Sequence, residues 1–248
     1  MAKFSTICAL KDKYKNQTIY IVGTGPSMQV FPIEFLKDKI TIGLNQAYKY
    51  CTLTYSLTIH PYLIPLDSSK WNTKWLTKHK FTDKTYKKHL KLGNYKKFYI
   101  FQNNNNAVKN FQFFKPSFSE KGKLYVGRGI QTGAINLAGL MGAKTAILVG
   151  CDMCDILDTH HGHNQHTEFH EYSAKEVYDE YYYYTAKIRK LALEYYNLTI
   201  LTLTPFLGLK HVEKDYTYLL KEKNLSPHIK AKDIEVYERS GDIVSDFL

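Results

Sequence analysis

Two clusters in this 248-residue chain have residue types and spacings that can do chemistry. The first is the turn Gly23-Thr24-Gly25-Pro26-Ser27 together with Asn45. Thr18–Val22 is a run of β-branched and aromatic residues, which predicts a buried parallel strand emptying into that turn. Backbone N–H groups in a glycine turn, backed by a helix N-terminus, favour phosphate. Ile40–Leu44 predicts a second strand that delivers Asn45 at its carboxyl end, where open α/β sheets bind ligands. Gly23, Thr24, Gly25, Pro26, Ser27 and Asn45 therefore predict a nucleotide site. A plain tight turn is the competing reading, because Met28 stands where the dinucleotide fingerprint has its third glycine. On the nucleotide reading, Gly25→Val blocks the approach of phosphate and Asn45→Ala removes a contact, both without unfolding the chain.

The second cluster is histidine-rich. His160, His161, His163, His166 and His170 are five of the ten histidines in the chain. They follow Thr145–Gly150, a predicted buried strand, and the polar stretch Cys151-Asp152-Met153-Cys154-Asp155. Three readings compete. Cys151, Cys154 and some of the histidines have the atoms of a zinc site, although their spacing matches no closed zinc pattern. One histidine held over the sheet edge would serve as an acid–base group. The remaining reading is a solvated loop. Ser173-Ala-Lys-Glu176 is a capping box, so a helix begins there, and its apolar stripe is Val177, Tyr181, Tyr184, Ile188, Leu191 and Tyr195. His170 lies just before that start, which suits a general base.

The elements that must position these groups alternate between strand and helix. Beyond those named, Leu53–Ile59, Lys97–Phe101, Leu124–Val126 and Leu198–Leu203 read as strands, and Gln131–Ala143 as a helix of small and aliphatic residues. The pattern predicts an α/β, Rossmann-like fold: a mostly parallel sheet with helices on both faces, in one domain spanning 1–248. Residues 68–123 are expected to form an inserted lid or acceptor segment. Within it, Lys70–Lys97 holds ten lysines, one acid (Asp83), Trp71, Trp75, Phe81, Tyr86 and Tyr95. The chain carries a net charge of +11, and most of that excess lies in this segment. It reads either as a solvated basic face or as an anion-facing surface for a glycan, a membrane surface or single-stranded nucleic acid. No apolar run is long enough to span a membrane, and the N-terminus has no signal-peptide core, so cytoplasmic residence is expected. Homo-oligomerisation is left open.

The turn at Gly23–Ser27, Asn45-Gln46, Gln131–Ala143 and Thr145–Asp152, in that order, resemble the bacterial lipooligosaccharide sialyltransferases and the related Maf and hydroxymethylpterin-diphosphokinase-like proteins. The sialyltransferase resemblance implies metal-independent transfer of a sialic-acid-like sugar from a CMP-sugar to a glycan or other hydroxyl acceptor, with no cofactor. Thr24 falls where that family has an asparagine near the donor phosphate, and Asn45 matches its asparagine at the donor. His60 falls where it has Asn-Pro and the diphosphokinase-like relatives have Asp-Pro. Thr132, Gly133 and Asp152 fall in the shared blocks. The family's base, a histidine shortly before a long helix, points to His170, with His166 second. Its phosphate-binding tyrosines leave Tyr172 as the nearest match, with His161 or His163 as further donors to the leaving phosphate. The diphosphokinase-like resemblance implies instead Mg²⁺-dependent diphosphate transfer from ATP to a pterin-like alcohol. A nucleic-acid-binding or DNA-modifying protein acting through Lys70–Lys97 is the alternative outside these transferases.

Overall fold

The computed structural model describes residues 5–29, 31, 33–60, 63–65, 72–78, 98–103, 110–152 and 174–202. Among them, nine strands form one parallel sheet: β1 (Ser5–Thr6), β2 (Thr18–Val22), β3 (Thr41–Leu44), β4 (Tyr55–Thr58), β5 (Lys74–Lys78), β6 (Phe98–Asn103), β7 (Lys123–Leu124), β8 (Thr145–Val149) and β9 (Thr199–Thr202). Their order is β1-β6-β5-β4-β3-β2-β8-β9, with β7 beside β6. Three α-helices are described: α1 (Pro116–Ser119), α2 (Ile130–Leu140) and α3 (Ala174–Tyr196). This is the expected Rossmann-like α/β architecture.

Both faces of the central strands are covered, which is why β3 and β4 are buried along their whole length. One face carries Tyr20, Val22, Gly43, Ser56 and Trp75, as the parallel register requires. Short 3₁₀ turns pack over it: Phe35 meets Tyr20 edge-to-face at 5.7 Å, and Tyr48 meets Trp75 at 5.2 Å. The opposite face carries Ile21, Ile42, Leu57 and Tyr55, and there Tyr14 and Tyr99 pack on Tyr55. Helix α2 packs on β2, β3 and β4 and is buried from Gln131 to Leu140. It needs small residues for this: a Cβ on Gly139 would come within 2.6 Å of the Tyr196 ring of α3. The stripe expected on α3 is seen at Tyr184 and Ile188, which are buried, while Leu191 and Tyr195 pack at the core margin.

The segment expected to stand apart as a lid contributes strands to the sheet. β5 lies inside residues 68–123, pairs with β4 and β6, and buries Trp75 and Leu76 completely. β6, expected as the strand Lys97–Phe101, lies inside it too, and β7 begins at its last residue, Lys123. The alternation Lys74-Trp75-Leu76-Thr77-Lys78 hides a central strand because its lysines stand at the two ends and its bulky apolar residues in the middle. Residues 70–71 and 79–97, the rest of the basic stretch, lie outside the described residues.

The strand order reverses beside β2: the chain moves from β2 to β3 and β4 on one side, and β8 and β9 complete the other. In such sheets the crevice at the carboxyl ends of the two strands flanking the reversal is where ligands bind. Here those strands are β2 and β8, followed by Gly23–Ser27 and Gly150–Asp152.

Candidate functional site

At this crevice the two strand ends are locked together. The Gly23 amide donates to the Val149 carbonyl (2.7 Å), and the Gly25 amide donates to the Gly150 carbonyl (2.8 Å). The Ser27 amide and hydroxyl donate one bond each to the two carboxylate oxygens of Asp152, both at 2.5 Å. The Met28 amide turns back to the Gly25 carbonyl (3.1 Å). The expected cradle of amides held ready for phosphate is therefore not what the turn provides. The N–H groups of Gly23, Gly25, Ser27 and Met28 are satisfied within the fold, and Asp152 already supplies the anion. The element that follows is a single 3₁₀ turn, Pro26–Gln29, and not a long helix.

The glycines are explained by this contact. A Cβ on Gly23 would collide with the Gly150 carbonyl, and one on Gly25 would lie 2.5 Å from Asp152 Oδ2 and 2.8 Å from the Gly150 carbonyl. Gly150 itself has φ +63°, which favours glycine, and Met28 packs against it. Asp152 is 1% exposed, and burial pushes its carboxyl up to about 6 against the opposing pull of the two Ser27 bonds. Burial also pushes the Cys151 thiol up, with the Asp152 charge adding to the effect. Tyr50 is raised to about 12 by burial and then by the Asp152 charge, which makes it a neighbour of this site that the sequence did not single out.

The Asp152 shift has a testable consequence. A carboxyl whose folded pKa lies above its ordinary value of 3.8 stabilises the fold when protonated. That contribution is complete below about 3.8 and is lost as the pH rises through about 6. Asp152→Asn keeps the shape, since the amide oxygen can accept from the Ser27 N–H and the amide nitrogen can donate to the Ser27 hydroxyl. The variant should match the wild type in melting temperature near pH 4 and exceed it near pH 8. Parallel curves from pH 4 to 8 would mean that Asp152 is not the titrating group.

One strand further on, a second cluster forms. Asn45 sits at φ +49°, a left-handed conformation that asparagine tolerates better than most residues. Its amide donates to the Leu57 carbonyl (2.9 Å), and its side-chain oxygen accepts from the Thr58 hydroxyl (3.0 Å). The Thr58 oxygen in turn accepts from the His60 amide (3.0 Å). Asn45 and His60 are thus brought together by Thr58, which the sequence reading missed. The available signal was a threonine two residues before His60, at the end of a strand.

Thr132 and Gly133 are used by the fold. The Thr132 hydroxyl accepts from the Gly127 amide (2.7 Å) and donates to the Gly129 carbonyl (2.8 Å), shaping the entry to α2. A Cβ on Gly133 would meet Val126 at 3.0 Å. Gln131, one residue earlier, donates to the Thr185 hydroxyl on α3 (3.1 Å). Since α2 leads into the amino end of β8, its own N-terminus lies at the carboxyl edge, with the partial positive charge of that end. Helix α3 likewise leads into the amino end of β9, where the Thr199 amide bonds to the Lys144 carbonyl. Its 23 residues span about 35 Å, against about 16 Å for β8, so its N-terminus reaches the carboxyl edge and beyond.

His161, His163, His166, His170 and Tyr172 lie outside the described residues, as do Cys154 and Ser173, and so does the side chain of Pro26. The stretch that holds them is bracketed by Asp152 and Ala174, both described and both on the carboxyl side of the sheet. Two open cavities, of about 730 and 820 Å³, lie at the amino ends of the strands, and no candidate residue lines them. No helix among the described residues is long and apolar enough to cross a membrane.

The fold and the switch-point site define a Rossmann-like α/β protein with Ser27, Asp152, Asn45, Thr58 and His60 at the carboxyl edge. The family model of the 6-hydroxymethylpterin diphosphokinase MptE-like proteins matches residues 1–158, and the chain belongs to that family. No curated protein matches it. Among solved structures it is similar to the sialyltransferase CstII from Campylobacter jejuni in complex with a substrate analogue, cytidine-5'-monophosphate. That similarity has 14% identity, covers 77% of this chain and 81% of the other, and has a TM-score of 0.42.

Proposed function

We propose that the protein is a transferase that moves a sialic-acid-like sugar from a CMP-linked donor to an acceptor hydroxyl. The observation that carries the reading is the convergence of the Asp152–Ser27 lock, the Asn45–Thr58–His60 cluster and the N-terminus of α2 on one sheet edge. The order of sequence blocks shared with the sialyltransferases supports the CMP-sugar donor. In this reading the lock shapes the floor of the site and does not itself hold the phosphate. Asn45 and His60 recognise the donor through hydrogen bonds, and the helix N-terminus favours the charge that develops on the departing phosphate. The bond from the anomeric carbon to the phosphate oxygen breaks as the acceptor oxygen attacks that carbon. A histidine of the 160–170 stretch, His170 first, takes the acceptor proton.

Family membership favours a second reading, diphosphate transfer from ATP to a pterin-like alcohol with Mg²⁺. Mg²⁺ is held by carboxylates and phosphate oxygens. Asp152 has both oxygens bound to Ser27 and is buried, so it does not fit that role, and the residues described beside it here offer hydroxyls, amides and an imidazole. The donor set of the described edge therefore favours the sugar-transfer reading.

A thermal-shift panel of CMP, UDP, GDP and ATP, each with Mg²⁺ and with EDTA, separates the two readings. CMP should raise the melting temperature equally in both conditions. A shift confined to ATP with Mg²⁺ would replace the first reading with the second. Asn45→Ala should reduce the CMP shift and lower the melting temperature slightly, by about 1 kcal/mol of stability, through loss of the Thr58 bond and strain at φ +49°. An undiminished CMP shift in this variant would place the nucleotide elsewhere.

A further inference from the structure

Thr77 is fully buried on β5, yet its hydroxyl has no hydrogen-bond partner among the described residues. The indole N–H of Trp75, two residues earlier on the same strand face, is in the same position. A buried polar group left unpaired costs about 1–3 kcal/mol, and folds rarely accept that cost without a use for the group. The register shows where the Thr77 hydroxyl stands. Thr77 is opposite Thr58 in the parallel β4–β5 pair. Thr58 is bonded to Asn45, which follows Leu44, the partner of Leu57. Asn45, Thr58 and Thr77 therefore form one row on one face of the sheet, at the carboxyl ends of three neighbouring strands. With strands about 4.8 Å apart, the row extends about 10 Å from Asn45. The first two members are bonded to each other, and the third carries an unused hydroxyl.

We propose that Thr77 is a further ligand-binding residue, whose hydroxyl bonds a hydroxyl or amide of the substrate beyond the part held at Asn45. The inference rests on the nucleotide-sugar reading above and extends that site onto β5. The substrate chemistry it fits is a hydroxyl-rich group, as a sugar supplies. The Thr77 neighbours Trp75 and Leu76 are fully buried and pack β5 into the core.

The test uses the full chain with Thr77→Val, which replaces the hydroxyl with a methyl of similar shape, and Thr77→Ser, which keeps the hydroxyl. The probes are CMP and CMP-N-acetylneuraminic acid, followed by calorimetric titration and thermal melting. Thr77→Val should melt at or above the wild-type temperature without ligand, because an unpaired buried hydroxyl is gone. It should bind CMP-N-acetylneuraminic acid about two- to tenfold more weakly, the worth of one hydrogen bond, while Thr77→Ser binds like the wild type. Unchanged affinity in Thr77→Val overturns the proposal and leaves the nucleotide-sugar reading intact. Equal weakening in both variants overturns it too, since shape and not the hydroxyl would then be responsible. A lower melting temperature for ligand-free Thr77→Val overturns it by revealing a structural partner such as a bound water. A wild-type protein that binds neither probe overturns both the proposal and the reading beneath it.

Discussion

Gly25→Val is expected to lower the melting temperature by roughly 10–20 °C, or to leave no soluble protein. The turn at Gly23–Ser27 looks like a loop that should tolerate a side chain pointing at a ligand. In the structure a Cβ at residue 25 meets Asp152 Oδ2 at 2.5 Å, Asp152 Cγ at 2.7 Å and the Gly150 carbonyl at 2.8 Å. None of these can move freely. Gly150 is fixed by its positive φ and by Met28, and Asp152 by its two bonds to Ser27. Valine would overpack a buried site, costing about 1–3 kcal/mol, and would force apart the Gly25–Gly150 and Asp152–Ser27 bonds at about 1–3 kcal/mol each. The sum is a large share of the 5–15 kcal/mol that holds an ordinary domain together. Circular dichroism melting of the purified variant checks it. A variant that melts like the wild type but has lost nucleotide binding would restore the phosphate-cradle role to the turn.

His170→Ala is expected to cut turnover by about two to four powers of ten while leaving the melting temperature and nucleotide affinity nearly unchanged. Attack by an acceptor hydroxyl needs a group to take its proton. An imidazole with an ordinary pKa near 6.5 is largely neutral at working pH and can do so. The described residues supply the placement argument. Asp152 lies in the turn after β8, just before the histidine-rich stretch, and Ala174 begins α3 after it, both on the carboxyl side. His170 is four residues before Ala174 in the sequence, closer to the start of α3 than the other four histidines. Steady-state kinetics on alanine variants of all five histidines decides the matter. Loss of turnover in His166→Ala or His163→Ala, with His170→Ala active, moves the base along the stretch. Full activity in all five removes the histidine base altogether.

The strands and helices that matter most were legible because their signals are local. Thr18–Val22 is found with the predicted bounds, Thr145–Val149 within one residue of them, and helix α2 covers most of Gln131–Ala143. The periodicity of α3 identified Tyr184 and Ile188 as buried. β5 was not legible. Its two apolar residues lie in a lysine run, and only pairing with β4 and β6 makes them core.

The sequence by itself determined that β2 and β8 are buried strands ending in Gly-rich and Gly-x-Asp turns, and that Asn45 and His60 stand at strand ends. Those properties follow from residue type and short-range periodicity. Only the tertiary structure decided what the turns do to each other. Ser27 and Asp152 are 125 residues apart in the chain, so no local pattern shows that the carboxylate of one occupies the amide and hydroxyl of the other. The same is true of Thr58, which joins Asn45 to His60, and of Thr77, which continues their row. Each backbone N–H can serve one good acceptor at a time. Which acceptor it finds depends on the strands that the fold sets side by side.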